Sequence, residues 1–259
     1  MVKVSSASEF KSGVLDNTSS LTLVDDVCLY DVSTLKSFSG ELSGNGYTLY
    51  VDSPVFMVNQ GVVEDVHIEC KISADENKKK GSLCHSNVGL VKGCSVAGII
   101  AGSVTVGGLV GENKGTVGEC RCSVDVRGQE RVGGLVGDNI GGTVYSCTAT
   151  DEASVYSDRI LGGVVGQNNG LISYSVSHAE LLHTVMSGSL VGLHKCYHGY
   201  SSIFKSFGTS GDHLIGSNLC TDDTITDCYH PNWLIGENPH SGENSIENIP
   251  DKLKEGYSS

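Results

Sequence analysis

The chain has 259 residues, 39% of them hydrophobic, and a formal net charge of −13. That length can bury one substantial core, and the charge argues against nucleic acid or an anionic membrane as partner. With 34 glycines in no collagen-like period and only 4 prolines, the composition predicts an all-β chain rich in tight turns.

The start, Met1-Val2-Lys3-Val4-Ser5-Ser6, lacks the apolar core of a secretory signal. No apolar run reaches the ~18 residues of a membrane span, so no membrane insertion is expected. The 10 cysteines are too dilute for a disulfide framework. They are expected to be free thiols, in a chain that is cytosolic or built into a particle. A trimmed piece of an extracellular protein would read the same way.

In chain order, residues 1–20 read as an N-terminal cap, with Ser8-Glu9-Phe10-Lys11 as a short helical or irregular element. A repeat then runs over residues 21–235. Its clearest copies are Gly107-Gly108-Leu109-Val110-Gly111-Glu112-Asn113, Gly133-Gly134-Leu135-Val136-Gly137-Asp138-Asn139 and Gly162-Gly163-Val164-Val165-Gly166-Gln167-Asn168. Weaker copies place Asn59, Asn87, His194 and Asn218 at the same position. The successive gaps from Asn59 to Asn218 are 28, 26, 26, 29, 26 and 24 residues. Each unit holds short apolar or alternating runs between Gly-rich corners and shows no 3.6-residue periodicity. Three short strands per unit make one triangular coil. Stacked coils pair their strands in parallel, and the crossover rule makes the solenoid right-handed. The prediction is one right-handed parallel β-helix of about seven or more coils, roughly 35 Å long before its caps.

The repeated asparagines Asn59, Asn87, Asn113, Asn139, Asn168 and Asn218 are expected to form a ladder at a corner. Each amide would donate to the next, from a left-handed backbone conformation. Gly61, Gly115, Gly141 and Gly170 follow and are expected to supply a positive φ. Cys94, Cys120, Cys147 and Ser175 fall at matching offsets and predict a wall of small buried side chains. Lys78-Lys79-Lys80 reads as a solvated loop tip. Residues 236–259 read as a C-terminal cap or tail, with Pro250 at a helical start.

Val106-Gly107-Gly108-Leu109-Val110-Gly111-Glu112-Asn113-Lys114-Gly115-Thr116-Val117 and its copies resemble the GLUG motif. Phe38-Ser39-Gly40-Glu41-Leu42-Ser43-Gly44-Asn45-Gly46-Tyr47-Thr48-Leu49 resembles the coil that usually precedes such repeats. The resemblance implies a pectin-lyase-like β-helix of the kind found in microbial surface proteins and in the non-catalytic region of IgA-cleaving metallopeptidases. It implies a spacer or adhesive role. The chain has no His-Glu-x-x-His zinc motif.

Two constellations could carry chemistry. Asp125, Asp151 and Glu180 each lie 12 residues after their repeat Asn, a spacing that predicts a carboxylate stripe one coil apart. Such a stripe suits glycoside hydrolysis or Ca²⁺. Cys196 and His198 with Cys228 and His230 could form a Cys₂His₂ zinc tetrahedron. No Ser/His/Asp set is visible in the order of residues. The expected function is that of a non-enzymatic structural or interaction protein without a cofactor. Such a protein would pack against protein partners in a larger assembly, such as a surface adhesive structure or a virus particle. A carbohydrate-active or glycan-binding β-helix is the alternative.

Overall fold

In the computed structural model the described residues are 1–16, 19–74, 79–182, 186–196, 201–209, 213–220, 225–226 and 228. They form a parallel β-solenoid of about seven turns. Every strand pair is parallel, and each strand bonds to its counterpart one coil away. The strands gather into sheets of 16, 10 and 5 strands. The largest carries the repeat asparagines, the second carries strands such as Arg121–Gly128, and the smallest carries strands such as Arg131–Gly133. Inward residues such as Leu109, Leu135, Val164 and Leu190 are fully buried in one continuous core.

The N-terminal segment is more than a cap. Val2–Val4 pairs in parallel with Ser20–Leu23 and so adds a strand to the stack. A helix, Ala7–Leu15, follows it. Ser6 is its N-cap, accepting from the Glu9 N–H, while the Glu9 carboxylate accepts from the Ser5 N–H at 2.8 Å. Phe10 is fully buried and stacks on Phe56, which stacks in turn on Phe38 at 5.0 Å between centroids. The helix thus closes the first coil, whose strands would otherwise present an open edge.

Asparagines stand in register in five successive coils from Asn59 to Asn168, followed by His194 and then Asn218, with Phe38 in the same place one coil before Asn59. Asn59 donates to Asn87 at 2.8 Å, Asn87 to Asn113 at 2.8 Å, Asn113 to Asn139 at 2.9 Å and Asn139 to Asn168 at 2.7 Å. Each Nδ2 also donates to a carbonyl just beyond its own residue, as Asn113 does to Gly115 at 3.2 Å. All five of these amides are fully buried.

The backbone conformation departs from expectation. None of the ladder asparagines has a positive φ. The left-handed corner lies six or seven residues later, at Asp65, Gly93, Glu119, Ser146 and Tyr174, with φ between 51° and 62°. Val66 follows the first of these corners, and the predicted wall follows the other four: Cys94, Cys120, Cys147 and Ser175. Each of these donates backward across the corner, Cys120 to the Gly118 carbonyl at 3.1 Å, Cys147 to Tyr145 at 3.3 Å and Ser175 to Ser173 at 3.0 Å. Each of these carbonyls also accepts a backbone N–H from the preceding coil, as Gly118 does from Gly93 at 3.0 Å, so the S–H or O–H takes its second lone pair, a role that Cys and Ser can both fill.

Of the four glycines expected at positive φ, only Gly141 has it, at +71°. Gly141 lies at the register shift between Ile140 and Thr143 and supplies one extra residue of the long spacing to Asn168, the rest coming from the turn 150–153. Gly61, Gly115 and Gly170 are needed for contact instead. A Cβ there would stand 2.1 Å from the Gly40 carbonyl, 2.1 Å from Gly89 and 2.3 Å from Gly142. The lysine run is not a loop tip where it is described. Lys79–Lys80 is a strand, and Lys80 is fully buried with its ammonium on the Ser73 carbonyl at 2.8 Å.

Candidate functional site

The carboxylate stripe does not assemble as expected. Asp125 pairs with Ser154, and Ser154 pairs with Glu180. Asp151 lies in the turn before this strand. The extra Gly141 and the longer turn 150–153 together push the register past it. Asp125 and Glu180 are therefore two coils apart, about 10 Å. The Ser154 hydroxyl fills the gap and donates to Asp125 at 2.5 Å. Ile99 precedes Asp125 in the same column, and Arg127, Tyr156 and Leu182 line the next one.

The zinc tetrahedron is also redistributed. Cys196 is bonded to Cys220 in a disulfide, contrary to the expectation of free thiols throughout. Cys228 lies just beyond strand Ile225–Thr226, with its thiol donating to the Thr226 carbonyl at 3.3 Å, the same bond two residues back that the wall cysteines make at their corner. Strand Ser202–Phe204 and its counterparts separate that corner from the ladder corner that Cys196 follows, so the two cysteines serve different corners. His198 and His230 lie outside the described residues.

Two arrangements were not foreseen. The first is a charged seam where the smallest sheet meets the largest. Glycines Gly111, Gly137 and Gly166 let the two sheets approach backbone to backbone there, since a Cβ would meet Lys80 N, Val106 C or Val132 N within 2.9 Å. Beside them Glu112, Asp138 and Gln167 stack in register, all nearly buried. Glu112 pairs with Lys79 at 2.8 Å and Lys114 at 3.3 Å. Burial pushes its carboxyl up, but the two ammoniums outweigh that and hold it below the usual range. Asp138 lies 3.5 Å from Arg131 and accepts from Gln167 at 3.2 Å. Burial raises it to about 6 despite the guanidinium. The sequence signal for this seam is the acid, acid and amide that stand just before Asn113, Asn139 and Asn168 at the repeat spacing.

The second is a Ser–His–Glu set. His67 and Ser95 are register partners in adjacent coils, with His67 Nδ1 2.6 Å from the Ser95 hydroxyl. Glu69 lies 3.9 Å from Nε2 on the other side of the ring. An open cavity of about 530 Å³ adjoins them, lined also by Asn45, Gly46, Asp65 and Gly93. His67 and Ser95 are 28 residues apart, the same gap as Asn59 to Asn87, so the repeat spacing carried the signal for this pair.

The comparisons with known proteins agree with this architecture. The GLUG motif model matches residues 128–156, one turn of the solenoid. The chain carries the GLUG motif. No curated protein sequence matches it. Among solved structures, this GLUG-motif chain resembles the crystal structure of a "putative immunoglobulin A1 protease" from Bacteroides ovatus. The TM-score is 0.66 and the identity 15%, over 88% of this chain and 83% of that one. It also resembles a structure described as "IgA1 Protease", with a TM-score of 0.63 and 15% identity, over 87% of this chain but 21% of the other. At such identities the likeness concerns the fold. The chain spans about a fifth of that second protein's length.

Proposed function

We propose that the chain is a rigid β-helical rod that packs against protein partners in a larger assembly, its lateral faces serving as contact surfaces. The observation that carries this is the shortness of the corners. Through the central coils, consecutive strands are joined by two residues, as at 114–115, 119–120, 129–130 and 158–159, with four at 150–153. Corners this short raise no wall beside a sheet, so the faces stay flat, and flat faces suit a partner better than a small substrate. The paired charges of the seam support the same reading, since Glu112 and Asp138 already hold cations of their own chain. The test is to run native extract through size exclusion and follow the chain by antibody. Elution with a large particle supports the rod role. Elution as a free chain of 27.2 kDa after mild lysis removes it.

A second reading rests on the Ser95–His67 contact. In it, His67 accepts the Ser95 proton as the hydroxyl attacks a small ester, Glu69 favours the resulting imidazolium, and the proton passes to the leaving alcohol. Water then releases the acid from Ser95. A fluorophosphonate probe distinguishes the two readings. A Ser95 adduct that disappears in His67→Ala favours the hydrolase, and absence of any adduct leaves the rod alone.

A further inference from the structure

The repeat breaks three times at one place. His194 stands where the five preceding coils have Asn. Cys196 lies two residues after His194, and Cys220 two after Asn218, the place taken by Gly61, Gly89, Gly115 and Gly170 in earlier coils. The contact-making glycine is thus replaced by cysteine in two successive coils, next to the one ladder position changed to histidine. A ring nitrogen of His194 and the two sulfurs lie within 4.8 Å of one another. His194 and Cys220 are buried, and Cys196 is half-buried.

We propose that the reduced chain binds a borderline-soft divalent cation of the zinc class through His194, Cys196 and Cys220, the disulfide being the metal-free oxidised state. The donor set fits such an ion: two thiolates and one imidazole, with a fourth tetrahedral position left for water or a partner's side chain. A thiol reductant supplies two electrons and two protons to the disulfide and becomes a disulfide itself. Metal uptake then releases both thiol protons.

The surroundings provide for the imidazole as well. In the oxidised chain Nδ1 accepts from the Asn168 amide at 3.1 Å. That amide is fixed in orientation, because its Nδ2 also donates to Gly170 O at 3.0 Å and its Oδ1 accepts from Gly170 N at 3.2 Å. The proton therefore sits on Nε2. Ligation through Nε2 displaces it and requires an acceptor for a proton on Nδ1. The Ser201 hydroxyl lies 3.4 Å from Nδ1 and already donates to Gly170 O at 3.1 Å, so its lone pairs can take that role. Asn168 keeps its bonds to Gly170 O and to Ser201 Oγ at 3.3 Å.

The experiment uses the full chain, reduced anaerobically with a phosphine and titrated with Co²⁺. The expected result is one equivalent bound, with intense sulfur-to-cobalt charge-transfer absorption in the near ultraviolet and tetrahedral visible bands. Both vanish in Cys196→Ser and in Cys220→Ser. His194→Asn is the informative variant, because it restores the residue that the ladder uses elsewhere and so keeps the coil folded. It should weaken Co²⁺ binding by about 10-fold or more, and Ser201→Ala by about 10- to 100-fold. Absence of the charge-transfer band in the reduced wild-type chain overturns the proposal. Unchanged Co²⁺ affinity in His194→Asn removes His194 from the site and overturns it as stated.

Discussion

Replacing Asn113 by Ala tests the ladder where it is complete on both sides. Asn113 accepts from Asn87 at 2.8 Å, donates to Asn139 at 2.9 Å and donates to the Gly115 carbonyl at 3.2 Å. It is fully buried, so water cannot replace these bonds. At about 1 kcal/mol net for each of the lost bonds, with part of the Asn139 oxygen left unsatisfied, the cost is about 3–4 kcal/mol. Asn59 is the end rung, because Phe38 below it offers no amide. Asn59→Ala loses one rung instead of two, and the Gly61 N–H that it also accepts at 3.2 Å keeps the Phe38 carbonyl at 3.1 Å, so the cost should be roughly 1 kcal/mol less. Asn113→Asp keeps the shape but turns a donor into an acceptor facing the Asn139 oxygen. It should be worse than Ala at neutral pH and recover as acid protonates it. Urea unfolding followed by far-ultraviolet circular dichroism gives the comparison from midpoints at matched m. An Asn113→Ala chain within about 0.5 kcal/mol of wild type, or equal costs at Asn59 and Asn113, would refute a cooperative ladder.

Gly115→Ala puts a methyl 2.1 Å from the Gly89 carbonyl and should destabilise by about 3 kcal/mol or more. Gly141→Ala meets open space and should cost only about 1–2 kcal/mol of left-handed strain, which the same urea midpoints would separate. Asp138 has its folded pKa raised to about 6 from an ordinary 3.8. The folded state therefore holds a proton that the unfolded state gives up, and stability from this group falls by about 2–3 kcal/mol as pH rises from about 4 to about 6. Asp138→Asn should flatten that part of the stability–pH profile, and an unchanged slope would contradict the burial argument. Phe10→Ala should cost about 3–5 kcal/mol and increase light scattering on storage, because it loosens the helix that covers the first coil.

The fold was legible because a solenoid repeats its solution. Each coil solves the same packing problem with the same residue types, so Asn87, Asn113 and Asn139 announce a corner before any coordinates exist. The Cys/Ser wall was legible for the same reason. Backbone detail was less so: the spacing shows that Gly115 recurs but not whether it is needed for its φ or for lack of a side chain. That depends on how closely the next coil lies, here 2.1 Å from a carbonyl.

The carboxylate stripe needed the tertiary structure. Counting residues put Asp151 beside Asp125, but one inserted glycine and one longer turn put Ser154 there. A shift of a few residues is invisible to a period of about 26 yet moves a side chain to another column. By contrast, His67 and Ser95 lie 28 residues apart and Cys196 and Cys220 lie 24 apart, the local repeat gaps, so the spacing already pairs them, while Arg131 meets Asp138 within one coil, across two sheets. The sequence by itself determined the parallel stack, its corner residues and its polar ladder, because these depend on repetition along the chain. Only the tertiary structure decided which side chains meet where an inserted residue or a longer turn shifts the alignment, and which meet across sheets within a coil, because the period reports neither.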